Sequence, residues 1–325
     1  MQRRDFLNKL FLCSLFPLSQ LEAYDAWHLG HHGDFQFKKM AKNLYVMHGI
    51  NSGKDHDAQC FVHNPAFIES KNGVIVIDSG ASYRVGVAVM RQIERISSKP
   101  IIAIFNTHHH SDHWFANGAM TEKYPNVKIY AHKNFINSAK EQYFKAENAQ
   151  RNQNKAQKVS FPNIFVQDGQ ELEIDGEHFY IQHPSSAHTA SDISILHKNS
   201  QVLFLGDVVL ESTLGYFVKG SSILNNIAFL KKIMQEKEYT LYVVGHGSSG
   251  TRKKTVEPYL FYLESIQKEV KKAYDEGRSI FELDEAKKSL LAIFSWKDGF
   301  NFPLNFLEPH MEFLYLEYEE RDIWG

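Results

Sequence analysis

Two apolar segments joined by a helical pattern place the strongest constraint on the fold of this chain. "GVIVIDSG" and "KPIIAIFN" are near-continuous runs of β-branched and aliphatic residues, which suits strands that are buried on both faces. Between them, apolar residues recur at helical spacing, at Val85, Val89, Ile93 and Ile96. The alternation of strand and helix predicts a layered α/β core.

Further short strands are predicted along the rest of the chain, in "NLYVMHG", "AQCFVHN", "VKIYAH", "HFYIQHP", "DISILHK", "QVLFLGD", "TLYVVGHG" and a closing "EFLYLEYEE". Residues 134–158 are polar and read as an exposed helical insertion, with a lid over a pocket as the alternative. A loop from Glu211 to Ser222 leads to a helix ending near Lys237, and a long helix is predicted over Pro258–Asp275. No linker or low-complexity tract interrupts this pattern, so residues 24–325 are predicted to form one domain.

The composition is that of a globular protein and argues against nucleic-acid binding. The chain has 325 residues, 43% of them hydrophobic, and a formal net charge of -2. It therefore lacks the basic footprint that tracks a phosphate backbone. Nucleic acid is therefore not an expected partner.

The first 23 residues have the features of an export signal. Arg3 and Arg4 precede an apolar run from Leu10 to Leu18, and Ala23 offers a small residue for cleavage. The run is shorter than the roughly 20 residues that span a bilayer, so no stable membrane insertion is expected after cleavage. "RRDFLNK" resembles the twin-arginine signal of bacteria, which predicts a periplasmic protein exported in the folded state.

No functional role is assigned to the cysteines and the other histidines near the N-terminus. Cys13 lies in the apolar run but follows Leu12 rather than a small residue, which argues against lipidation. Cleavage after Ala23 would leave Cys60 as the only thiol, so no internal disulfide is expected. The histidines of His28–His32 are interpreted as part of a tail, with metal capture as the alternative.

A histidine cluster, "THHHSDH", follows directly on the second apolar segment. His108 and His110 are two residues apart, so in an extended chain both side chains point to one side and can reach one metal ion. Asp112 and His113 are displaced along the loop and point at a neighbouring position. The motif therefore has the geometry for two ions.

Single residues elsewhere supply the missing ligands. His188 lies in "SSAHTASD", Asp207 closes "VLFLGD" and His246 lies in "VVGHGSSG". Each is predicted at the end of a strand, and ligands at strand ends meet at one edge of a sheet. The glycines beside Asp207 and His246 allow the backbone to approach closely.

The ordered set "VIDSG", "THHHSDH", "AHT", "LGD" and "GHG" resembles the metallo-β-lactamase superfamily of hydrolases. The resemblance implies a four-layered αββα sandwich. It also implies His108, His110 and His188 at one metal and Asp112, His113 and His246 at the other. Asp207 would bridge the two ions, and Asp78 would support the histidine loop.

Alternative roles exist for several of these residues. Asp112 is also placed to cap a helix that begins near Trp114, and Asp207 to serve as a turn residue after a strand. A lone histidine such as His246 is ordinarily a surface or hydrogen-bonded core residue. His109, between two proposed ligands, is expected to point away and is assigned no role.

The ligand types suit Zn²⁺ with an open coordination position, although Fe or Mn also accept them. A metal ion lowers the pKa of bound water from about 15.7 to about 7 and thereby supplies hydroxide at neutral pH. Asp112 is the predicted catalytic residue, placed both to bind metal and to orient that hydroxide. The predicted reaction is hydrolysis of an ester, thioester, amide or phosphoester, and Asp112→Ala is predicted to abolish it without unfolding the protein.

The expected partner of such a hydrolase is a small-molecule substrate, whose identity is less constrained than the chemistry. With an aspartate at position 207, the chain resembles the thioesterases and many other hydrolases of the superfamily, whereas its β-lactamases usually lack an aspartate at this bridging position. Together with the export signal, "AHTASDISIL", "LGDVV", "GHG" and "PHMEFLYLEYE" are similar to the exported zinc metallohydrolases found beside periplasmic quinoprotein and sulfur-oxidation systems. "HNPAFIESKNG" departs from the glycine-rich stretch of that group, which bears on pocket shape. Candidate substrate contacts follow Asp207, at Tyr216, Phe217 and Lys219.

Three alternatives to this hydrolase remain. A β-lactamase would open a chromogenic cephalosporin. A persulfide dioxygenase of related fold would hold one iron. A non-catalytic metal-binding protein would hold metal without turnover.

Overall fold

The computed structural model describes four ranges of the chain: residues 35–49, 61–150, 159–296 and 301–324. The predicted signal of residues 1–23, the histidines of His28–His32 and Cys60 lie outside the described residues. No helix within these four ranges is long and apolar enough to cross a membrane.

The described residues form two β-sheets. The first sheet has seven strands in chain order: β1 (Lys38–Lys39), β2 (Leu44–Val46), β3 (Ala66–Glu69), β4 (Val74–Ile77), β5 (Ile101–Phe105), β6 (Lys128–His132) and β7 (Ile164–Val166). Strands β1 to β4 pair antiparallel, and β4 to β7 pair parallel. The first sheet therefore has an antiparallel half and a parallel half, and the histidine loop follows β5 in the parallel half.

The second sheet has five strands in the order β12-β11-β10-β9-β8. Their bounds are β8 (Glu171–Ile174), β9 (Glu177–Gln182), β10 (Ser194–His197), β11 (Val202–Gly206) and β12 (Leu241–Val244). Strands β11 and β12 pair parallel, so their carboxyl ends lie side by side at one edge.

Eight α-helices lie within the described ranges: α1 (Tyr83–Glu94), α2 (Ser111–Trp114), α3 (Asn117–Lys123), α4 (Phe135–Gln150), α5 (Ile223–Gln235), α6 (Arg252–Asp275), α7 (Asp284–Trp296) and α8 (Leu307–Trp324). Helices α1 and α3 share a core with the outer face of the first sheet. Helices α5 to α8 share a core with the outer face of the second sheet. A third core lies between the sheets, where Ile68 and Ile75 join Phe179 and Phe204. This order of helix, sheet, sheet, helix is the predicted αββα sandwich.

Strand β4 shows why the near-continuous apolar pattern predicted a doubly buried strand. Val74 and Val76 pack under helix α1, whereas Ile75 and Ile77 pack between the sheets. Both faces of β4 are thus buried, because successive side chains point alternately into the two cores. Helix α1 then begins after Ser82, whose hydroxyl accepts a hydrogen bond from the Val85 amide at 3.2 Å.

The predicted closing strand is wrong, because residues 307–324 form helix α8. The aromatic and acidic residues of "EFLYLEYEE" alternate like a strand over a few positions. Over a longer window, the buried residues recur three and four apart, at Met311, Leu314, Tyr315 and Tyr318. This helical period packs α8 onto α6, so the tertiary contact decides against the strand.

The predicted strand over "AQCFVHN" is also wrong in its described part. Residues 61–64 are not in a strand, and β3 begins at Ala66. The reason is that this segment bonds to the loop around His246 instead of to a neighbouring strand. The Asn64 amide, for example, donates to the Gly245 carbonyl at 2.8 Å.

Two helix predictions need correction, and one helix was missed. Helix α6 begins at Arg252, so Pro258 lies inside it. Helix α7 was not predicted. The described part of the predicted insertion, up to Gln150, is helical, but it is not fully solvated, since Phe135 and Ala139 are buried beside Trp114.

Candidate metal centre

The predicted ligands come from four loops that meet at one edge of the sandwich. The loop after β5 carries His108 and His110 and runs into α2, which carries Asp112 and His113. Asp207 follows β11 directly, and His246 follows β12. His188 differs from the prediction, because it lies within the loop between β9 and β10 rather than at a strand end.

A first group of ligand atoms comprises His108, His110, His188 and Asp207. Nε2 of His108 lies 3.2 Å from Nδ1 of His110, and Nε2 of His188 lies 2.9 Å from the same atom. Oδ2 of Asp207 lies 3.7 Å from His108 and 3.5 Å from His188. All of these atoms fall within 4.8 Å of one another, which is a spacing that one ion can bridge.

A second group comprises Asp112, His113 and His246. The Nε2 atoms of His113 and His246 lie 3.4 Å apart. Oδ2 of Asp112 lies 3.2 Å from His246 and 3.5 Å from His113. Asp112 belongs to the first turn of α2, whose N-cap is His110, so the alternative role of Asp112 as the helix cap is wrong.

Asp207 lies between the two groups. Its Oδ1 is 3.4 Å from Nε2 of His113, and its Oδ2 is 3.4 Å from Nε2 of His246. Oδ1 is buried and has no hydrogen-bond partner among the described residues. Five imidazoles and two carboxylates thus converge with a spare buried oxygen between them, which fits a metal centre better than a hydrogen-bonded core.

Electrostatics differ between the two groups. Burial, with the neighbouring histidines, lowers the pKa of His110 to about 4 and that of His188 to about 3, and it holds the pKa of His108 well below its ordinary value. Burial is the largest single influence in the second group too and opposes the charged form, but the neighbouring carboxylates together outweigh it there. Asp207 and Asp112 raise the pKa of His246 to about 10, and they raise the pKa of His113 well above its ordinary value.

The carboxylates of the site remain ionised. Burial alone would raise the pKa of Asp112, but the positive charges of His113 and His246 hold it below its ordinary value. The pKa of Asp207 is lowered in the same way against burial, by His246, His113 and His108. The metal-free centre is therefore a network of ion pairs.

Asp78 supports the histidine loop through three contacts. Its Oδ1 accepts from the Thr107 amide at 2.8 Å, and its Oδ2 accepts from the Thr107 hydroxyl at 2.7 Å. Nδ1 of His113 donates to the same Oδ2 at 2.8 Å. This contact fixes the His113 ring so that Nε2 faces the second group.

The loop of His246 has partners that the sequence did not reveal. Nδ1 of His246 donates to the Val62 carbonyl at 2.7 Å. The Asn64 side chain donates to the carbonyls of Val244 and Gly247, each at 2.8 Å. The contact residues are about 180 positions apart in the chain, so no local pattern could have found them.

Two further expectations concern residues beside the ligands. His109 points away, as expected, with Nδ1 at 2.8 Å from the Ser191 hydroxyl. Gly245 lets the backbone approach, because a Cβ there would lie 1.9 Å from Oδ1 of Asp207.

The candidate substrate contacts after Asp207 lie in different surroundings. Phe217 is a buried core residue whose ring lies 5.1 Å from that of His310, so its predicted contact with substrate is wrong. Tyr216 packs on Phe306, and Lys219 is exposed.

The fold and the centre define a class: an αββα sandwich with histidine and aspartate ligands at one edge of its sheets. The family model described as "Metallo-beta-lactamase superfamily" matches residues 58–246. The chain belongs to this superfamily.

Curated relatives carry the names of two kinds of hydrolase. A hydroxyacylglutathione hydrolase of Prochlorococcus marinus (strain MIT 9312) is 31% identical over 154 residues, which cover 47% of this chain and 52% of the relative. Metallo-beta-lactamase IND-1 of Chryseobacterium indologenes is 24% identical over 220 residues, which cover 66% of this chain and 82% of the relative. The chain spans about half the length of the first curated relatives it matches.

Solved structures share the fold at low sequence identity. The sec-alkylsulfatase Pisa1 from Pseudomonas sp. is 15% identical, with a TM-score of 0.67 over 87% of this chain and 50% of that one. Metallo-beta-lactamase IND-7 is 22% identical, with a TM-score of 0.56 over 71% of this chain and 99% of that one.

Proposed function

We propose that this chain is a dinuclear metal-dependent hydrolase, with Zn²⁺ as the preferred ion and Fe or Mn as alternatives. The observation that carries the proposal is the position of Asp207, whose Oδ2 faces histidines of both groups while its Oδ1 faces His113 of the second. His108, His110 and His188 would hold one ion, and Asp112, His113 and His246 the other. A centre for a single iron would not need the complete second group, which disfavours the dioxygenase.

The bound ions would acidify a water molecule and polarise the substrate oxygen. The protein's own residues position these partners. Asp112 is ionised and lies beside His113 and His246, so it can orient the water by accepting a hydrogen bond. Asp78 and the Val62 carbonyl fix the rings of His113 and His246, which keeps the centre preorganised.

A thioester is the substrate class we favour. The support is the hydroxyacylglutathione hydrolases among the relatives, together with an aspartate between the two groups. A thiolate is a good leaving group, so no dedicated acid is needed beside the centre. A β-lactam is the second candidate, supported by the match to Metallo-beta-lactamase IND-1.

Metal content and turnover, measured on one sample, test the proposal. We expect about two zinc ions per chain by mass spectrometry and hydrolysis of a thioester faster than of a lactone, a phosphodiester or a β-lactam. Fast opening of a chromogenic cephalosporin instead would replace the substrate class. One iron per chain without hydrolysis would overturn the dinuclear hydrolase, and metal without any turnover would favour a binding protein.

We also propose that the protein is exported to the periplasm by the twin-arginine route, on the support of Arg3 and Arg4 ahead of the apolar run. Replacing both arginines with lysine should retain the protein in the cytoplasm with its signal uncleaved. Cell fractionation and N-terminal sequencing measure this. Export of the double-lysine variant at the wild-type level would overturn the route.

A further inference from the structure

The loop from Glu211 to Ser222 lies against the first group of ligands. A side chain at Gly215 would begin 3.6 Å from Cε1 of His188. The Ser221 hydroxyl donates to the His188 carbonyl at 2.6 Å, and the Ser222 amide donates to the Ala187 carbonyl at 2.8 Å. The position of this loop therefore determines the space beside the His188 ring.

Helix α8 holds the loop at two points. Nε2 of His310 lies 2.7 Å from the Gly215 carbonyl, in the middle of the loop. At the end of the loop, the Glu317 carboxylate accepts from the Ser222 hydroxyl and, at 2.9 Å, from the Ile223 amide. Helix α8 lies outside the residues that match the superfamily, so this attachment is a feature of the chain's own C-terminal layer.

Hydrogen-bond chemistry assigns one tautomer to His310. A carbonyl only accepts, so Nε2 carries the proton that is donated to Gly215. Nδ1 is then the acceptor for the Tyr262 hydroxyl of α6, at 2.8 Å. Burial lowers the pKa of His310 to about 4, so the ring stays neutral at physiological pH and keeps this arrangement.

We propose that His310 is a positioning residue that sets the loop Glu211–Ser222 beside His188 and thereby the size of substrate that the centre accepts. The size limit rests on the proposed hydrolase function, whereas the positioning of the loop does not. The His310 ring is enclosed by the rings of Phe217 and Phe306, at 5.1 Å and 5.9 Å. These rings offer no other acceptor, so the donor of His310 is directed at Gly215.

Hydrogen–deuterium exchange of the loop tests the positioning directly, without metal or substrate. The reporters are amides that are bonded within or beside the loop: Val218, Ser221 and Ser222. His310→Phe keeps a ring but removes the donor, so these amides should exchange at least about tenfold faster. His310→Gln can donate to Gly215 and accept from Tyr262, so it should restore most of the protection.

A second buried histidine provides the matched control. His197 in β10 bonds to Ser200 and Glu177, and its replacement by Gln should leave loop exchange unchanged. Unchanged loop exchange in folded His310→Phe would overturn the proposal. Should that variant fail to fold, His310→Leu decides, because it also removes the donor to Gly215. Wild-type loop exchange in folded His310→Leu would then overturn the proposal.

Kinetics test the size limit. On the thioester panel, His310→Phe should change the selectivity between a small and a bulky acyl group by about tenfold, mainly through KM, with metal content unchanged. An equal loss of kcat on all substrates would show a merely structural role. If the wild type hydrolyses nothing, the proposed function fails, while the exchange result still decides the positioning of the loop.

Discussion

The two groups of ligands share Asp207, yet they differ in protonation. In the first group, burial dominates and the pKa values of His108, His110 and His188 are lowered. In the second group, two carboxylates face two histidines, and the pKa values of His113 and His246 are raised. At neutral pH, the metal-free protein therefore presents neutral imidazoles on one side and imidazolium ions on the other.

This difference predicts the order in which the proposed two-metal centre fills. A metal binds the neutral imidazole nitrogen, so the first group can bind at once, whereas the second group must first release protons. The two groups differ in protonation because the second has more carboxylates per histidine, and each carboxylate that pairs with a histidine stabilises its charged form. We expect the first group to bind metal first and the second group to control the dependence on pH.

The largest expected effect comes from removing the carboxylate of the second group. Asp112→Asn should lower kcat by about 10²–10⁴-fold, because the residue can no longer orient the water or bind metal as an anion. The first group should still hold its ion, as measured by metal analysis of the same sample. Asp275→Asn, at an exposed pair with Lys271, is the control. Full activity of Asp112→Asn would contradict the assigned role.

The pH dependence of metal binding sharpens the comparison further. With the pKa of His246 raised to about 10 and that of His113 raised well above its ordinary value, both rings hold protons over the neutral range, and His246 loses its proton as the pH rises towards 10. The ion bound by the second group should displace about two protons, so its affinity should rise by about 100-fold per pH unit. The first ion should show a much flatter dependence.

Zinc titrations against a chromophoric chelator at pH 6.5 and 8.5 measure both slopes, and an indicator dye in weak buffer counts the protons. Equal slopes for the two ions would show that the two groups do not differ in protonation.

Sequence reasoning predicted which side chains cluster at the proposed metal centre, because each is a histidine or aspartate beside a strand or in a dense motif. It predicted the strands β4 and β5 because four consecutive apolar residues leave few alternatives. It failed where a local pattern had two interpretations, as in α8, whose short window alternates like a strand. It also failed for Asn64 and His310, since their roles arise only from contacts with residues far along the chain.

Asp78 should matter more to the second group than to the first. Asp78→Asn replaces an acceptor by an amide where His113 donates, so the affinity for the second ion should fall by about 10–100-fold. Retention of metal during dialysis measures this. Asp175→Asn is a matched control, because Asp175 also accepts from a hydroxyl and a backbone amide, those of Ser70 and Asn72. Equal loss of both ions would show that Asp78 supports the whole loop instead.

The smallest expected effect concerns Asn64, which holds the His246 loop without touching the ligands of the first group. Asn64→Ala leaves the buried carbonyls of Val244 and Gly247 without their donor, which should lower the free energy of unfolding by about 1–3 kcal/mol. Asn43→Ala removes comparable bonds, to the Glu69 carbonyl and the Glu177 carboxylate, away from the centre. Urea unfolding of the metal-free variants should show both losses, but only Asn64→Ala should weaken binding of the second ion, because only that variant releases the backbone around His246. Equal metal affinities in the two variants would mean that the Val62 carbonyl alone suffices to place His246.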